Sequence, residues 1–290
     1  MKIAGNKLEH LRAYYLRELN AMMDQSEIDA QFALVVEHYL GIPKKDLHLK
    51  LNENLNQSDL LDIYNACKAI QKQQPIQYVL GAAYFYDMPF IVNKSVLIPR
   101  PETEELVSLI LKQNQNITSV LDIGTGSGCI PITIKKHRPI CEVSACDISA
   151  DALLTAEKNA AKYGLNIHFF NCDILSAAVS DHLENKAFDL IVSNPPYVLE
   201  SEKTQIEAAV LDHEPHGALF VFDSDPILFY RRIIQLCEKH LHKGAYLFFE
   251  LNPLTAEEVR NFAESSQLFK EIELIKDMSG KWRFLKAVKK

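Results

Sequence analysis

Apolar positions along this chain keep two different periods. Up to about Lys72 they recur at helical spacing. Leu8, Leu11, Tyr15, Leu19 and Met22 predict one helix. Phe32, Val35, Val36, Tyr39 and Leu40 predict a second, stopped by Gly41 and Pro43. A third carries Leu61, Tyr64, Cys67 and Ala69-Ile70, with Ser58 as its cap. The plainer reading of these stripes is core packing. Further on, short apolar runs alternate with helical stretches, the order that builds a doubly wound sheet. Strands are predicted near residues 119–123, 141–147, 167–172, 188–193 and 244–251, with helices from Ala150 to Tyr163 and Pro226 to Leu241. Ile272-Glu273-Leu274-Ile275 and Trp282-Arg283-Phe284-Leu285 flank Met278-Ser279-Gly280-Lys281, a closing hairpin that requires an antiparallel strand. Between the two parts, Tyr84-Phe85-Tyr86 and Phe90-Ile91-Val92 flank Asp87-Met88-Pro89, which predicts another hairpin.

Chemistry enters where the run Phe188–Val192 gives way to Asn194-Pro195-Pro196-Tyr197. Ligands of open α/β sheets bind beyond the carboxyl ends of strands. Pro195 pushes Asn194 into extended backbone, so its side chain projects. The prolines donate no N–H and leave carbonyl oxygens as acceptors. With the Asn194 side-chain oxygen, these acceptors suit both hydrogens of an NH2 group, and Tyr197 suits stacking on its plane. That is a site for methylating an amide or amino nitrogen. Taken alone, Asn-Pro-Pro is also a common strand-ending turn.

A second motif changes the balance. Val120-Leu121-Asp122-Ile123-Gly124-Thr125-Gly126-Ser127-Gly128 is a strand running into a glycine-rich turn, followed by an apolar helix. Asp147 closes the next apolar strand about 20 residues on, where a carboxylate can accept from ribose hydroxyls. The spacing G-x-G-x-G departs from the dinucleotide fingerprint, whose third glycine would fall on Cys129. Asp122 would repel a pyrophosphate and suits a cationic ligand. S-adenosylmethionine, with its sulfonium and ammonium and no phosphate, is favoured over NAD. No P-loop pattern occurs.

Together with Val96-Leu97-Ile98-Pro99-Arg100-Pro101-Glu102-Thr103-Glu104, these motifs resemble the peptide chain release factor N5-glutamine methyltransferases, over nearly the whole chain. The glycine turn is shared by most class I methyltransferases. Asn-Pro-Pro-Tyr is shared with DNA adenine and some RNA guanine enzymes. The Ile-Pro-Arg-Pro-Glu-Thr stretch points to the glutamine enzymes. The resemblance implies an α/β fold: a seven-stranded Rossmann-like class I methyltransferase sheet with one reversed strand, and a small N-terminal helical bundle joined by a β-hairpin. The expected division is 1–73 for substrate docking, 74–100 for hairpin and linker, and 101–290 for the methyltransferase domain. S-adenosylmethionine is the implied cofactor, held by Asp122, Gly124, Thr125, Gly126, Ser127, Gly128, Asp147 and Ile148, with Asn194 at its edge. Asp173 and Ile174 stand at the usual place for adenine; related enzymes often have an aromatic residue at the Ile174 position. Asn194, Pro195 and Tyr197 are the expected catalytic residues. Phe90, Arg100 and Pro196 join them as expected substrate contacts. Phe90 either packs between domains or walls the pocket. Arg100, mounted between two prolines, either contacts substrate backbone or pairs with Glu102 or Glu104. The loop from Val198 to His216 is expected to cover the site, with Glu200, Glu202 and Glu207 solvated. No general base is assigned.

Composition narrows the partners. Among 290 residues, 48% are hydrophobic and 24% charged, as in an ordinary globular protein. The net charge of −7 lowers the expectation of a nucleic-acid partner and suits a protein substrate, here class I release factors. No apolar run reaches a membrane span of roughly 20 residues, and Met1–Asn6 lacks the apolar core of a signal peptide. Six scattered cysteines without a C-x-x-C pair argue against zinc and for the reducing cytoplasm. The histidines, His213 and His216 included, read as structural. Two other readings stay open: an amino-methyltransferase of adenine or guanine in nucleic acid, and a dehydrogenase or cofactor sensor.

Overall fold

The helical spacing before Lys72 and the alternation after it become two units in a computed structural model that describes residues 5–113, 116–176, 179–183 and 186–290. Most of the Met1–Asn6 reading therefore lies outside the described residues. One unit is Met1–Ala82 with Ala208–His213; the other is Ala83–Glu207 with Glu214–Lys290.

In the first unit, the helices are α1 (Leu8–Leu19), α2 (Gln25–Leu40), α3 (Leu47–Lys50), α4 (Gln57–Gln71) and α5 (Ile76–Leu80). Their apolar stripes meet in one core around Leu11, Tyr15, Phe32, Val36, Ile63 and Cys67. Asp24 caps α2 by accepting from Glu27 N at 2.9 Å. Asn56 caps α4 in the same way, taking the Asp59 N–H at 2.9 Å. The cap thus falls two residues before Ser58, which lies inside the helix.

The second unit opens with a hairpin, β1 (Ala82–Phe85) and β2 (Met88–Ile91). Its turn is Tyr86-Asp87, both at positive φ (52° and 59°), so Met88 and Pro89 belong to the returning strand rather than to the turn. Such paired left-handed residues match the twist of a two-residue hairpin. Next come α6 (Pro101–Leu111), β3 (Ser119–Ile123), α7 (Cys129–His137), β4 (Glu142–Asp147), α8 (Ala150–Lys162), β5 (His168–Asn171) and α9 (Val179–Leu183). The chain continues through β6 (Phe188–Ser193), β7 (Val198–Leu199), α10 (Ala208–His213), β8 (Phe220–Val221), α11 (Leu228–His240), β9 (Leu241–Glu250), α12 (Ala256–Ser265), β10 (Phe269–Lys276) and β11 (Trp282–Lys289). α10 clusters with the first unit, where His213 Nε2 lies 3.2 Å from the Lys72 carbonyl.

Seven strands form one sheet in the order β10-β11-β9-β6-β3-β4-β5, and β11 alone runs against the rest. Alternation along each strand feeds two cores. Leu121, Ile191, Leu247 and Phe249 face one; Val120, Leu190, Val192 and Phe248 face the other. Burial on both faces explains why these strands read as unbroken apolar runs. β9 begins at Leu241, three residues before the predicted start, because the α11 C-terminus passes into it without a loop.

Phe85 and Phe90 are fully buried in the second of these cores, with Phe90 in ring contact with Phe85 and Tyr163. Asn159 ties this hairpin to the sheet: it accepts from Ile91 N at 2.7 Å and donates to the carbonyls of Ile91 and Ser127, each at 2.9 Å. A buried amide that satisfies three backbone groups leaves little freedom to the hairpin or to the turn at Ser127. Among the described residues no helix is long and apolar enough to cross a membrane.

Candidate active site

Parallel register sets the strand ends abreast. Ile123 pairs with Cys146 on one side and Ser193 on the other, and Ser193 pairs with Phe249. Gly124, Asp147, Asn194 and Glu250 therefore follow at one edge of the sheet, where the strand order reverses around β3. That is the crevice in which open α/β sheets bind ligands. A cleft of about 720 Å³ lies there, within the second unit. Gly124, Thr125, Gly126, Ser127, Asp147 and Ile148 line it, as do Asp173 and Ile174. So do Arg100, Asn194, Pro195 and Pro196.

The glycine turn is shaped by its own geometry. Gly124, Gly126 and Gly128 all take positive φ. At Gly128 (φ +79°) an added Cβ would lie 3.0 Å from Ile132 Cδ1 and 3.1 Å from Ala156 Cβ, so only glycine lets α7 and α8 approach here. The Asp147 carboxylate holds the turn from the next strand, accepting from Gly126 N and Ser149 N, each at 2.9 Å. Asn171 donates to the Asp147 and Ile148 carbonyls at 2.9 and 2.8 Å and fixes that segment in turn. Asp173 accepts from Leu175 N at 2.9 Å.

Asp122 is fully buried on β3. Its two carboxylate oxygens, like the Thr125 hydroxyl, have no hydrogen-bond partner of good geometry among the described residues. Burial raises its pKa from 3.8 to about 7, against a smaller lowering by the nearby Thr125 hydroxyl. Orphaned buried acceptors beside a glycine turn fit a cationic, hydroxyl-bearing ligand and oppose a pyrophosphate. The residues present thus fit S-adenosylmethionine.

A carboxyl whose folded pKa is raised stabilises the fold at low pH and loses that contribution as pH climbs through the folded value. For Asp122 the window runs from about 4 to about 7. Asp147 and Glu250 are raised too, by burial first, and act with the same sign. The melting temperature of the ligand-free protein is therefore expected to fall between pH 5 and pH 8. Asp122→Asn should flatten much of that fall in a thermal melt series; an unchanged slope would show that Asp122 does not titrate there.

Four predicted residues do not line the cleft: Asp122, buried on β3, Gly128, at the N-cap of α7, Phe90 and Tyr197. Phe90 is core, because its ring fills the space between the hairpin and α8. Tyr197 does not line the cleft: its ring packs on the sheet core and its hydroxyl donates to Glu250 Oε1 at 3.0 Å. Arg100 pairs with neither Glu102 nor Glu104. Its partner is Glu214, whose side chain is 1% exposed and which also accepts from Ile98 N at 3.2 Å. Glu104 instead accepts from Tyr86 N at 2.9 Å. Within the 198–216 loop, Glu202 accepts from Leu199 N and Asn252 Nδ2, at 2.9 and 2.6 Å, rather than standing free in solvent. Pro215, at the end of that loop, lines the cleft, as do Gly217 and Ala218 just after it.

Three residues without a sequence assignment complete the site. Asn194 Nδ2 donates to Thr103 Oγ1 at 3.2 Å, and Thr103 Oγ1 donates to Glu250 Oε2 at 2.7 Å. Glu214 is the third. Thr103 and Glu250 are 3% and 1% exposed; Thr103 belongs to the motif of residues 98–103, and Glu250 is signalled only as an acid at the end of an apolar strand.

Comparison with known proteins identifies the family through its curated relatives. Residues 102–222 match the family described as Methyltransferase small domain, and residues 10–81 the PrmC N-terminal domain. A protein named release factor glutamine methyltransferase from Flavobacterium psychrophilum is 41% identical over 285 residues, covering 97% of this chain and 98% of that one. A protein of the same name from Bacteroides thetaiotaomicron is 41% identical over 280 residues, covering 97% and 99%. Among solved structures, a methyltransferase from Pyrococcus furiosus shares the fold with a TM-score of 0.51 at 16% identity, covering 80% of this chain and 98% of that one. With 41% identity spanning nearly all of both chains, this chain belongs to the release factor glutamine methyltransferase family.

Proposed function

We propose that this enzyme methylates the side-chain amide nitrogen of the glutamine in the Gly-Gly-Gln motif of class I release factors. The observation that carries the reading is the state of Asn194. Its Nδ2 is engaged by Thr103, and among the described residues its Oδ1 has no partner, in a cleft shared with the glycine turn. That leaves one side-chain acceptor beside the carbonyl of Pro195.

An amide nitrogen is a poor nucleophile, since its lone pair is delocalised by an amount reflected in a rotation barrier of ~18–20 kcal/mol. S-adenosylmethionine, when bound, supplies a methyl group on a sulfonium, a leaving group that needs no metal. The rest is positioning by the chain. Asn194 Oδ1 and the Pro195 carbonyl accept the two amide N–H bonds and turn the lone pair toward the methyl carbon. The amide nitrogen would take the methyl of the bound cofactor, which departs as the neutral thioether, and the amide proton would leave to water. Holding the reactants in line contributes several kcal/mol. The two acceptors strengthen as positive charge develops on nitrogen. Asp122, Asp147 and the Gly124–Gly128 turn hold the cofactor, with Asp173 and Ile174 at the adenine. Arg100, fixed by Glu214, offers its charge at the cleft to the substrate chain. Tyr197 acts from behind the site and Phe90 acts only through packing.

The helical unit docks the release factor, and the reaction runs in the cytoplasm, where translation terminates. Six buried cysteines, all free thiols, support that compartment. Transfer of labelled methyl to three acceptors tests the reading: a release factor, the same factor with its Gly-Gly-Gln glutamine changed to alanine, and bulk DNA plus RNA. Label on the intact factor alone is expected. Label on nucleic acid alone would replace glutamine with a base.

A further inference from the structure

We propose that Thr103 and Glu250 are positioning residues that decide which end of the Asn194 amide faces the methyl acceptor. The inference rests on the amide-methylation reading above and adds to it the group that gives Asn194 its orientation. A primary amide is nearly symmetric in shape but opposite in hydrogen bonding. Rotation by half a turn about its last bond exchanges an acceptor for a donor. A donor in the position of Oδ1 would face the N–H bonds of the incoming amide and repel them.

The chain of bonds behind Asn194 has a direction. Glu250 receives two hydroxyl donors, Tyr197 at 3.0 Å on Oε1 and Thr103 at 2.7 Å on Oε2. A carboxylate is an acceptor only. Burial keeps the Tyr197 phenol protonated well above its ordinary pKa, so it stays a donor. Thr103 has a single proton and spends it on Glu250. Only lone pairs of Thr103 Oγ1 then remain for Asn194, and only the NH2 end of Asn194 can meet them. While Glu250 is ionised, its carboxylate sets the hydroxyl and the hydroxyl sets the amide; burial raises the Glu250 pKa, so this direction is lost as pH falls and the carboxyl gains a proton. Each member of the chain sits at a fixed element: Glu250 ends β9, Thr103 lies in the first turn of α6, and Asn194 follows β6. The β6–β9 register places Asn194 next to Glu250, across a sequence gap that hides the relation.

Two substitutions reverse or remove the direction without enlarging the site. Glu250→Gln offers an NH2 group to Thr103, whose proton is then released toward Asn194 and favours the flipped amide. Thr103→Val keeps the branched shape and removes the hydroxyl. Thr103→Ser restores it. The measurement is steady-state kcat and KM on whichever acceptor the wild-type enzyme labels, with S-adenosylmethionine affinity by calorimetry on each variant. Wild-type label on the release factor checks the glutamine reading by itself; the variants check positioning.

Glu250→Gln and Thr103→Val are expected to lower kcat about 10- to 100-fold, with cofactor affinity within about threefold of wild type. Thr103→Ser is expected to recover most of the rate lost in Thr103→Val. A kcat within threefold of wild type in Thr103→Val would overturn the inference. So would a Thr103→Ser variant as slow as Thr103→Val, or a loss confined to cofactor affinity. If Thr103→Val does not fold, Glu250→Gln against Thr103→Ser decides: equal rates overturn the proposal, and a slow Glu250→Gln beside a fast Thr103→Ser sustains it.

Discussion

Asn194→Ala is expected to reduce methyl transfer by at least about 100- to 1,000-fold, the range seen when a single transition-state hydrogen-bonding group is removed. The reason is differential. The Asn194 oxygen meets an N–H bond whose acidity grows as the C–N bond forms, so its contribution is larger in the transition state than in the bound complex. The loss should fall on kcat. Cofactor affinity should change little, because the glycine turn, Asp147 and the 173–174 segment stand on other strands. Nor should the fold suffer. Asn194 sits after the last residue of β6 and lines an open cleft, and Thr103 keeps its bond to Glu250. Single-turnover transfer with a release factor, beside calorimetric titration of S-adenosylmethionine, separates the two quantities. Near-normal turnover would remove the amide clamp from the mechanism.

How far this site could be read in advance depends on the separation of its parts. The alternation of apolar runs and helical stretches, and Gly, Asp and Pro at strand ends, are local signals. They placed the sheet, the glycine turn, Asp147 and Asn194-Pro195-Pro196. What was not legible depends on register or on distant partners. Glu250 joins Thr103 from 147 residues away, and Glu214 joins Arg100 from 114. Nothing local to Glu250 says that β9 lies beside β6. The hairpin turn falls one residue earlier than the sequence predicts for a related reason. Two-residue turns usually announce themselves by Asn-Gly or Asp-Gly, whereas Tyr86-Asp87 adopts the left-handed region with an aromatic residue. Stacking on a flat group suits Tyr197 and leaves Phe90 open between packing and a pocket wall; burial against the sheet takes the first ring and packing between the hairpin and α8 the second. Ser58 and Asn56 have equal capping chemistry, and only the start of the helix separates them.

The second large effect is expected at Asp147. Asp147→Ala removes the acceptor for two backbone N–H groups, those of Gly126 and Ser149. One belongs to the glycine turn and the other to the N-cap residue of α8, so the change loosens both walls of the same end of the cleft. It also removes the carboxylate proposed to accept from the ribose hydroxyls. Hydrogen bonds to a charged group contribute about 1.5–3 kcal/mol each. One such loss transmitted to the ligand raises the S-adenosylmethionine Kd by roughly 10- to 150-fold. Asp147→Asn should fall near the alanine variant rather than near wild type. An asparagine offers one oxygen and one NH2, so it can satisfy Gly126 N or Ser149 N but confronts the other with a donor. At saturating cofactor, kcat should return to within a few-fold of wild type, since the acceptors at Asn194 and Pro195 are untouched. Calorimetry over the three proteins, followed by turnover at high cofactor concentration, reads both quantities. An unchanged Kd would show that the Asp147 carboxylate only braces the turn and that the ribose is held elsewhere. A Kd that rises together with an irrecoverable kcat would tie the turn to the geometry of transfer itself. The first outcome would move the cofactor contact to neighbouring groups such as Asp173; the second would join two parts of the cleft that the hydrogen bonds here keep separate.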